Sequence, residues 1–279
     1  MSLEETFLKE LYDDLESEKL VLPTLPEVAL KVRETLEDEN ASLVDAAKVI
    51  TSDVALSARL IQVANSPLLR ASRAIESVEA AVTRMGSDMV RNLVTSLAME
   101  QMFQATTDVT DKRLRDIWEH STEIAAICQA MSGMSRTMKA DQALLAGLVH
   151  NIGSLPVLVR AEDYPDLINN SDLLDKIVAT ANPKLGAAIL KKWHFPEELV
   201  TVAAEHSNFT RNHDGEADYT DLVIVAELQS RAGSDHPNAQ VDWTSVPAFA
   251  KLGIDTDVSV IDMDEVNNEI EAVKSALTG

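Results

Sequence analysis

The sequence has a single cysteine, Cys128. An intrachain disulfide is therefore excluded. Its setting, EIAAICQAM, has no basic neighbour to favour a thiolate, so a small buried apolar residue is expected there rather than a nucleophile. Aromatics are scarce at 4% while hydrophobic residues reach 46%, with Ala, Leu and Val prominent. That balance favours helices packed on helices over strand-rich architecture. Positive charge is also in deficit, with 24 Lys and Arg against 46 Asp and Glu and a net charge of −22. A surface field of that sign repels phosphate backbones and anionic lipid headgroups, which argues against nucleic acid and membrane surfaces as partners. No apolar run approaches the roughly 18–20 residues of a membrane span. The segment MSLEETFLKELYDDLESEK is acidic and amphipathic without an apolar signal core, so the expectation is a cytoplasmic protein. Also missing are the G-x-x-x-x-G-K-[ST] loop, G-x-G-x-x-G after a strand, the G-x-S-x-G elbow and C-x-x-C.

What is present is helical periodicity. Leu25, Val28, Ala29, Val32 and Leu36 fall at spacings 0, 3, 4, 7 and 11, as do Leu43, Ala46, Ala47, Ile50 and Val54. Val78, Ala81, Val82 and Met85 repeat the pattern, and Val90, Leu93, Val94 and Leu97 do so again after Gly86. No alternating strand pattern of comparable length occurs. The expectation is an all-α chain: an N-terminal helix over 1–21, a helical body over 22–231, and a tail over 232–279 ending in a helix from Met263 to Leu277. Within the body, one helical half runs to about 105 and a second from about 111 to 231.

The N-terminal half carries LPTLPEVALKV, then ITSDVALSARLIQVANSPLL, then IESVEAAVTRMGSDMVRNLV. In order and spacing these resemble the HDOD domain, an all-α bacterial signalling module related to the HD and HD-GYP metal phosphohydrolases. The resemblance covers 22–231, and its most specific piece is DVALSARLIQVANSP, where Val54 stands at a position usually held by proline. It implies an HD-like multi-helix fold with an N-terminal helical subdomain, used for regulation or interaction without established catalysis. The implied partners are signalling proteins, cyclic-di-GMP enzymes or sensor kinases.

The HD superfamily builds its metal centre from a lone histidine, a His-Asp pair, further histidines and a late aspartate. Imidazole nitrogens and carboxylate oxygens together offset a divalent ion's lost hydration. By resemblance the corresponding positions here are His120, the pair His150 and Asn151, then Asn182, His206 and Glu227. The aspartate of the pair is an amide, which brings no negative charge and no basicity. A disabled, vestigial pocket follows, with no catalytic residue, no metal and no cofactor expected.

Each position also has a structural explanation in its own neighbourhood. His120 shares an apolar helix face with Ile124, Ile127 and Met131, and His206 one with Leu199, Val202 and Ala203. His150 follows Ala143, Ala146 and Gly147, a face of small residues that permits close helix packing. Asn182 directly precedes Pro183, which reads as a helix N-cap. Glu227 stands four residues before Arg231, the favourable order for a surface ion pair.

One modest concentration of positive charge stands out in the N-terminal half, Arg59, Arg70, Arg73, Arg84 and Arg91, which form either a partner-facing patch or ordinary helix-surface charge. Arg70, Arg73 and Arg91 are the candidates for partner contact. The leading expectation is a non-catalytic signalling or scaffold module. The alternatives are a metal-dependent phosphohydrolase with an unorthodox site and a nucleotide second-messenger receptor using the old pocket.

Overall fold

Serine and aspartate caps divide the chain into helices. The structure, a computed structural model, describes residues 2–65, 74–103, 108–133, 135, 137–257, 259, 261 and 264–278. No strand occurs among them. Helix α1 (Leu3–Glu16) opens with a capping box in which Ser2 and Glu5 satisfy each other's backbone N–H groups. Helices α2 (Glu27–Glu37), α3 (Leu43–Thr51) and α4 (Val54–Ala64) follow, with Ser42 capping α3 and Asp53 capping α4. All three pack on α5 (Val78–Met99). Inside α5, Gly86 adopts φ 76° and ψ 171°, a conformation open to glycine, so the two predicted helical stretches meet there at a break. One count was wrong. Val54 does not extend the buried face of α3: it starts α4 and is 82% exposed, because Asp53 turns its side chain to the backbone and begins a new helix.

The second half is built on α6 (Asp108–Ser132), which lies along α7 (Ala140–Val149). The two approach closely because Gly147 has no side chain: a Cβ there would sit 2.4 Å from the Ala125 Cα. This is the close packing that the small-residue face predicted. Helices α8 (Ser154–Ala161), α9 (Pro165–Ile168), α10 (Ser171–Lys192), α11 (Glu197–Glu205) and α12 (Tyr219–Ser230) complete the body. Then come α13 (Pro247–Leu252) and α14 (Asp264–Thr278), the last packed on α6 and α4. The apolar residues of both halves merge into one core, with α5 against α7 forming the seam.

The absence of a span-length apolar run does not hold for the folded chain. Ala140–Ala161 is long and apolar enough by composition, with mean hydropathy 1.5. It breaks at His150 between α7 and α8, and 83% of it is buried inside the protein, so its apolarity serves the core. Cys128 is buried, and burial pushes its thiol pKa well up, as expected of a core residue.

Candidate functional site

The sequence around His150 is a helix that stops one residue early. α7 ends at Val149, His150 caps it, and Gly153 lets the chain turn directly into α8. A Cβ on Gly153 would lie 2.1 Å from the Asn182 carbonyl oxygen and 2.5 Å from the Gly186 nitrogen, so only glycine lets this turn lie against α10. The turn thereby presses His150 and Asn151 against Asn182.

Five of the six residues expected to line the pocket are tied into one hydrogen-bonded chain. His150, fully buried, donates from Nδ1 to the Gly147 carbonyl at 2.5 Å, since a carbonyl can only accept. Its Nε2 then faces both Asn151 Nδ2 at 2.6 Å and Glu227 Oε1 at 2.9 Å. The same Glu227 oxygen accepts from His120 Nε2 at 2.8 Å. Asn182 Nδ2 reaches Asn151 Oδ1 at 3.0 Å and the His150 carbonyl at 3.3 Å. The sixth residue joins more loosely: His206 Nε2 lies 3.4 Å from Asn182 Nδ2, while its Nδ1 faces the Val202 and Ala203 carbonyls.

Two of the structural explanations fail here. Asn182 is no N-cap: Asn170 caps α10, accepting from Leu173 N, and the helix continues through Pro183 with Asn182 buried in its middle. Packing of α10 against α8 and α11 outweighs the backbone hydrogen bond lost at the proline. Glu227 is no surface partner of Arg231. Its helix α12 is buried on all sides from Tyr219 to Gln229, which turns the carboxylate inward to the two histidines.

Electrostatics follow from this packing. Burial alone would raise the Glu227 carboxyl pKa, but His120 and His150 outweigh it and hold the group well below the usual carboxylate range. Burial alone would lower His120, yet the Glu227 charge and hydrogen bonds to Glu123 and Glu227 hold its pKa up at about 9. His206 goes the other way, to about 4, through burial and then the neighbouring His150. It is therefore neutral, with Nδ1 donating to the Val202 and Ala203 carbonyls and Nε2 left to accept from Asn182. Beside His120 opens a cavity of about 560 Å³, lined in part by Lys112, Arg113, Asp116, Asn151, Asn182, Arg231 and His236. Arg113 is held there by Asp175 and Ser171.

The donor set fits one divalent cation. His120, His150 and Glu227 each offer an atom, all within 4.8 Å of one another, and two imidazoles with one carboxylate form a common cation-binding set. The Gly147 carbonyl fixes His150 with Nε2 directed at the shared point. His150 Nε2 also cannot both accept from Asn151 and donate to Glu227 with a single proton count. A cation between the three ligands would remove that conflict.

A second histidine and carboxylate cluster went unnoticed in the sequence. His213 Nε2 contacts Asp221 Oδ2 at 2.9 Å, and Asp218 lies at 3.7 Å. Arg211 spans Glu205, Asp218 and Asp221. The signal was the capping box at the start of α12, in which Asp218 caps and Asp221 answers.

Of the arginines, Arg59 is engaged inside the fold with Glu100 and the Leu277 carbonyl, and Arg91 pairs with Asp88 at 3.1 Å. Arg70 and Arg73 lie outside the described residues.

With fold and geometry in place, comparison with known proteins is decisive. The model of the HDOD domain matches residues 22–209. The chain belongs to the HDOD family. Among solved structures, this HDOD protein is similar to a Shewanella amazonensis SB2B protein provisionally named a metal-dependent phosphohydrolase. The two are 32% identical, with 99% of this chain and 100% of that chain covered and a TM-score of 0.87. An HDOD domain protein of unknown function from Geobacter sulfurreducens shares the fold at 22% identity, with 98% of each chain covered and a TM-score of 0.65. An uncharacterized protein of Treponema pallidum (strain Nichols) is 24% identical over 204 residues, 67% of this chain. The HDOD protein thus spans only 38% of that curated relative's length. Glu227, central to the geometry, lies beyond the end of the family match.

Proposed function

We infer that this HDOD protein is a cytoplasmic signal-transduction module that acts by binding other proteins, and that its histidine centre turns over no phosphoester. Asn151 carries this reading. Beside His150 it supplies a neutral amide, so Glu227 is the sole carboxylate among the innermost groups, and that carboxylate is shared by two imidazoles. Activating water at neutral pH takes a firmly held cation and a base, and an amide, though its oxygen can ligate, brings neither negative charge nor basicity. By family resemblance the partners are cyclic-di-GMP enzymes or sensor kinases.

One observation favours a second reading, a metal-dependent phosphohydrolase: His120, His150 and Glu227 converge on a point that a cation fits. A bound divalent ion would supply charge stabilisation for a phosphoester, with Lys112 and Arg231 on the adjoining cavity wall. Purified protein is to be assayed for metal content after dialysis and for hydrolysis of bis(p-nitrophenyl) phosphate and cyclic dinucleotides with Mn²⁺ or Zn²⁺. The expected result is no turnover and well under one equivalent of metal, with metal retention rising in Asn151→Asp. Stoichiometric metal with turnover establishes the hydrolase, and nucleotide binding without turnover establishes a receptor.

A further inference from the structure

A second cavity, of about 470 Å³, lies where the segment after α1 meets the start of α6 and the length of α8. It shares no lining residue with the cavity beside His120. Its apolar wall includes Leu20, Val21, Pro23, Leu114, Leu155 and Val159. Two of these stand in solvent, Val21 at 88% exposure and Val159 at 63%. A single exposed valine needs no explanation, but two bordering one apolar cavity form a patch. A partner side chain entering the cavity, with its backbone laid across the mouth, covers them.

The rim has a sign. α1 ends in Asp13, Asp14 and Glu16 with no basic residue in its last turn, where the helix dipole is already negative. Asp14, Glu162 and Asp163 line the mouth against two cations, Lys19 and Arg160, and Arg160 is committed to Asp14 at 3.3 Å. Within the chain Arg160 answers Asp14 and Lys184 answers Glu16, so the acidic surplus at the mouth is Glu162 and Asp163 against Lys19.

We propose that this cavity is a docking site for a partner protein that inserts one leucine- or phenylalanine-sized side chain from a segment bearing lysine or arginine beside it. The site rests on the interaction reading above and gives it a surface. The apolar side chain enters the cavity and its segment dries Val21 and Val159, while the flanking cations face Glu162 and Asp163. Glu162, Asp163 and the overall acidic charge outweigh Lys19 and work against acidic segments, which sets the choice of partner.

Phage-displayed random peptides selected against the full chain are the probe. Selected sequences should carry Leu or Phe next to Lys or Arg. As fluorescent synthetic peptides in anisotropy titrations they should bind Val159→Glu and Val21→Glu at least about tenfold more weakly than wild type, and lose affinity as salt rises. Both substitutions are at the surface, and unchanged melting temperatures certify the fold. Peptides that bind the variants as tightly as wild type overturn the site and leave the interaction reading standing. Acidic winners overturn it as well, as does a small apolar fragment that saturates the cavity by ligand-observed NMR while no peptide competes. A selection without winners also overturns the site, and if the same preparation hydrolyses phosphoesters, the interaction reading falls with it.

Discussion

The two histidine and carboxylate clusters are alike in composition and opposite in what their lone pairs are doing. In His213, Asp218 and Asp221 the carboxylate oxygens are already taken. Asp218 accepts from Arg211 and from the Thr220 and Asp221 N–H groups, and Asp221 accepts from Arg211, His213 and the Asp218 N–H. Seven hydrogen bonds, those of the capping box among them, leave a cation nothing to bind. In His120, His150 and Glu227 a single oxygen faces two imidazoles, an amide crowds the same nitrogen, and a cavity opens alongside. Ligand type is thus a poor guide to a site. What matters is whether donors have already claimed the acceptors.

Breaking the first comparison partner should have the largest effect. Arg211→Ala takes the guanidinium from Asp221, which is fully buried, and is expected to cost about 3–5 kcal/mol in urea unfolding while leaving metal content unchanged. Next comes pH at the other cluster, in chelator-treated protein. The His120 pKa is raised from 6.5 to about 9 in the fold, so its contribution is complete below pH 6.5 and lost as pH rises through 9. Unfolding at pH 7 and pH 10 should differ by at most about 3 kcal/mol from this source, and the difference should shrink in His120→Gln. Gly153→Ala follows. Its Cβ meets backbone atoms of Asn182 and Gly186, so α8 must move off α10 at an expected cost of about 1–3 kcal/mol. NMR imidazole signals of His150 and His206 should shift while that of His213 stays in place. Smallest is His213→Gln, expected below about 1 kcal/mol, because Arg211 still holds both aspartates. A larger loss there would mean that the second cluster depends on its histidine.

The helices were legible because α2, α3 and the first stretch of α5 each bury one face, which is what a spacing of three and four residues records. Glu227 was misread because α12 buries every face, so periodicity carries no direction and an i to i+4 charge pair looked external. Asn182 misled for a related reason. A local proline rule was overruled by packing on both sides of α10. Family resemblance placed His120, His150, Asn151, Asn182, His206 and Glu227 at one pocket, and the structure ties them into one network. The arginines show the limit of composition: a charge count cannot tell that Arg59 reaches the Leu277 carbonyl on α14.

Helix α1 is fastened to α10 and its neighbours by Glu4 to Lys176, Glu16 to Lys184, Tyr12 to the Thr180 carbonyl and Glu10 to Tyr164. These contacts join residues 154 to 172 positions apart. During synthesis at roughly 5–20 residues per second, α1 leaves the ribosome on the order of ten seconds or more before α10 exists to receive it. For that interval its apolar stripe of Phe7 and Leu11 lacks the α10 side of its cover, and its carboxylates repel other acidic chains. The acidic character of this helix therefore has a use in time as well as in place, guarding the chain while its docking surface is still being translated.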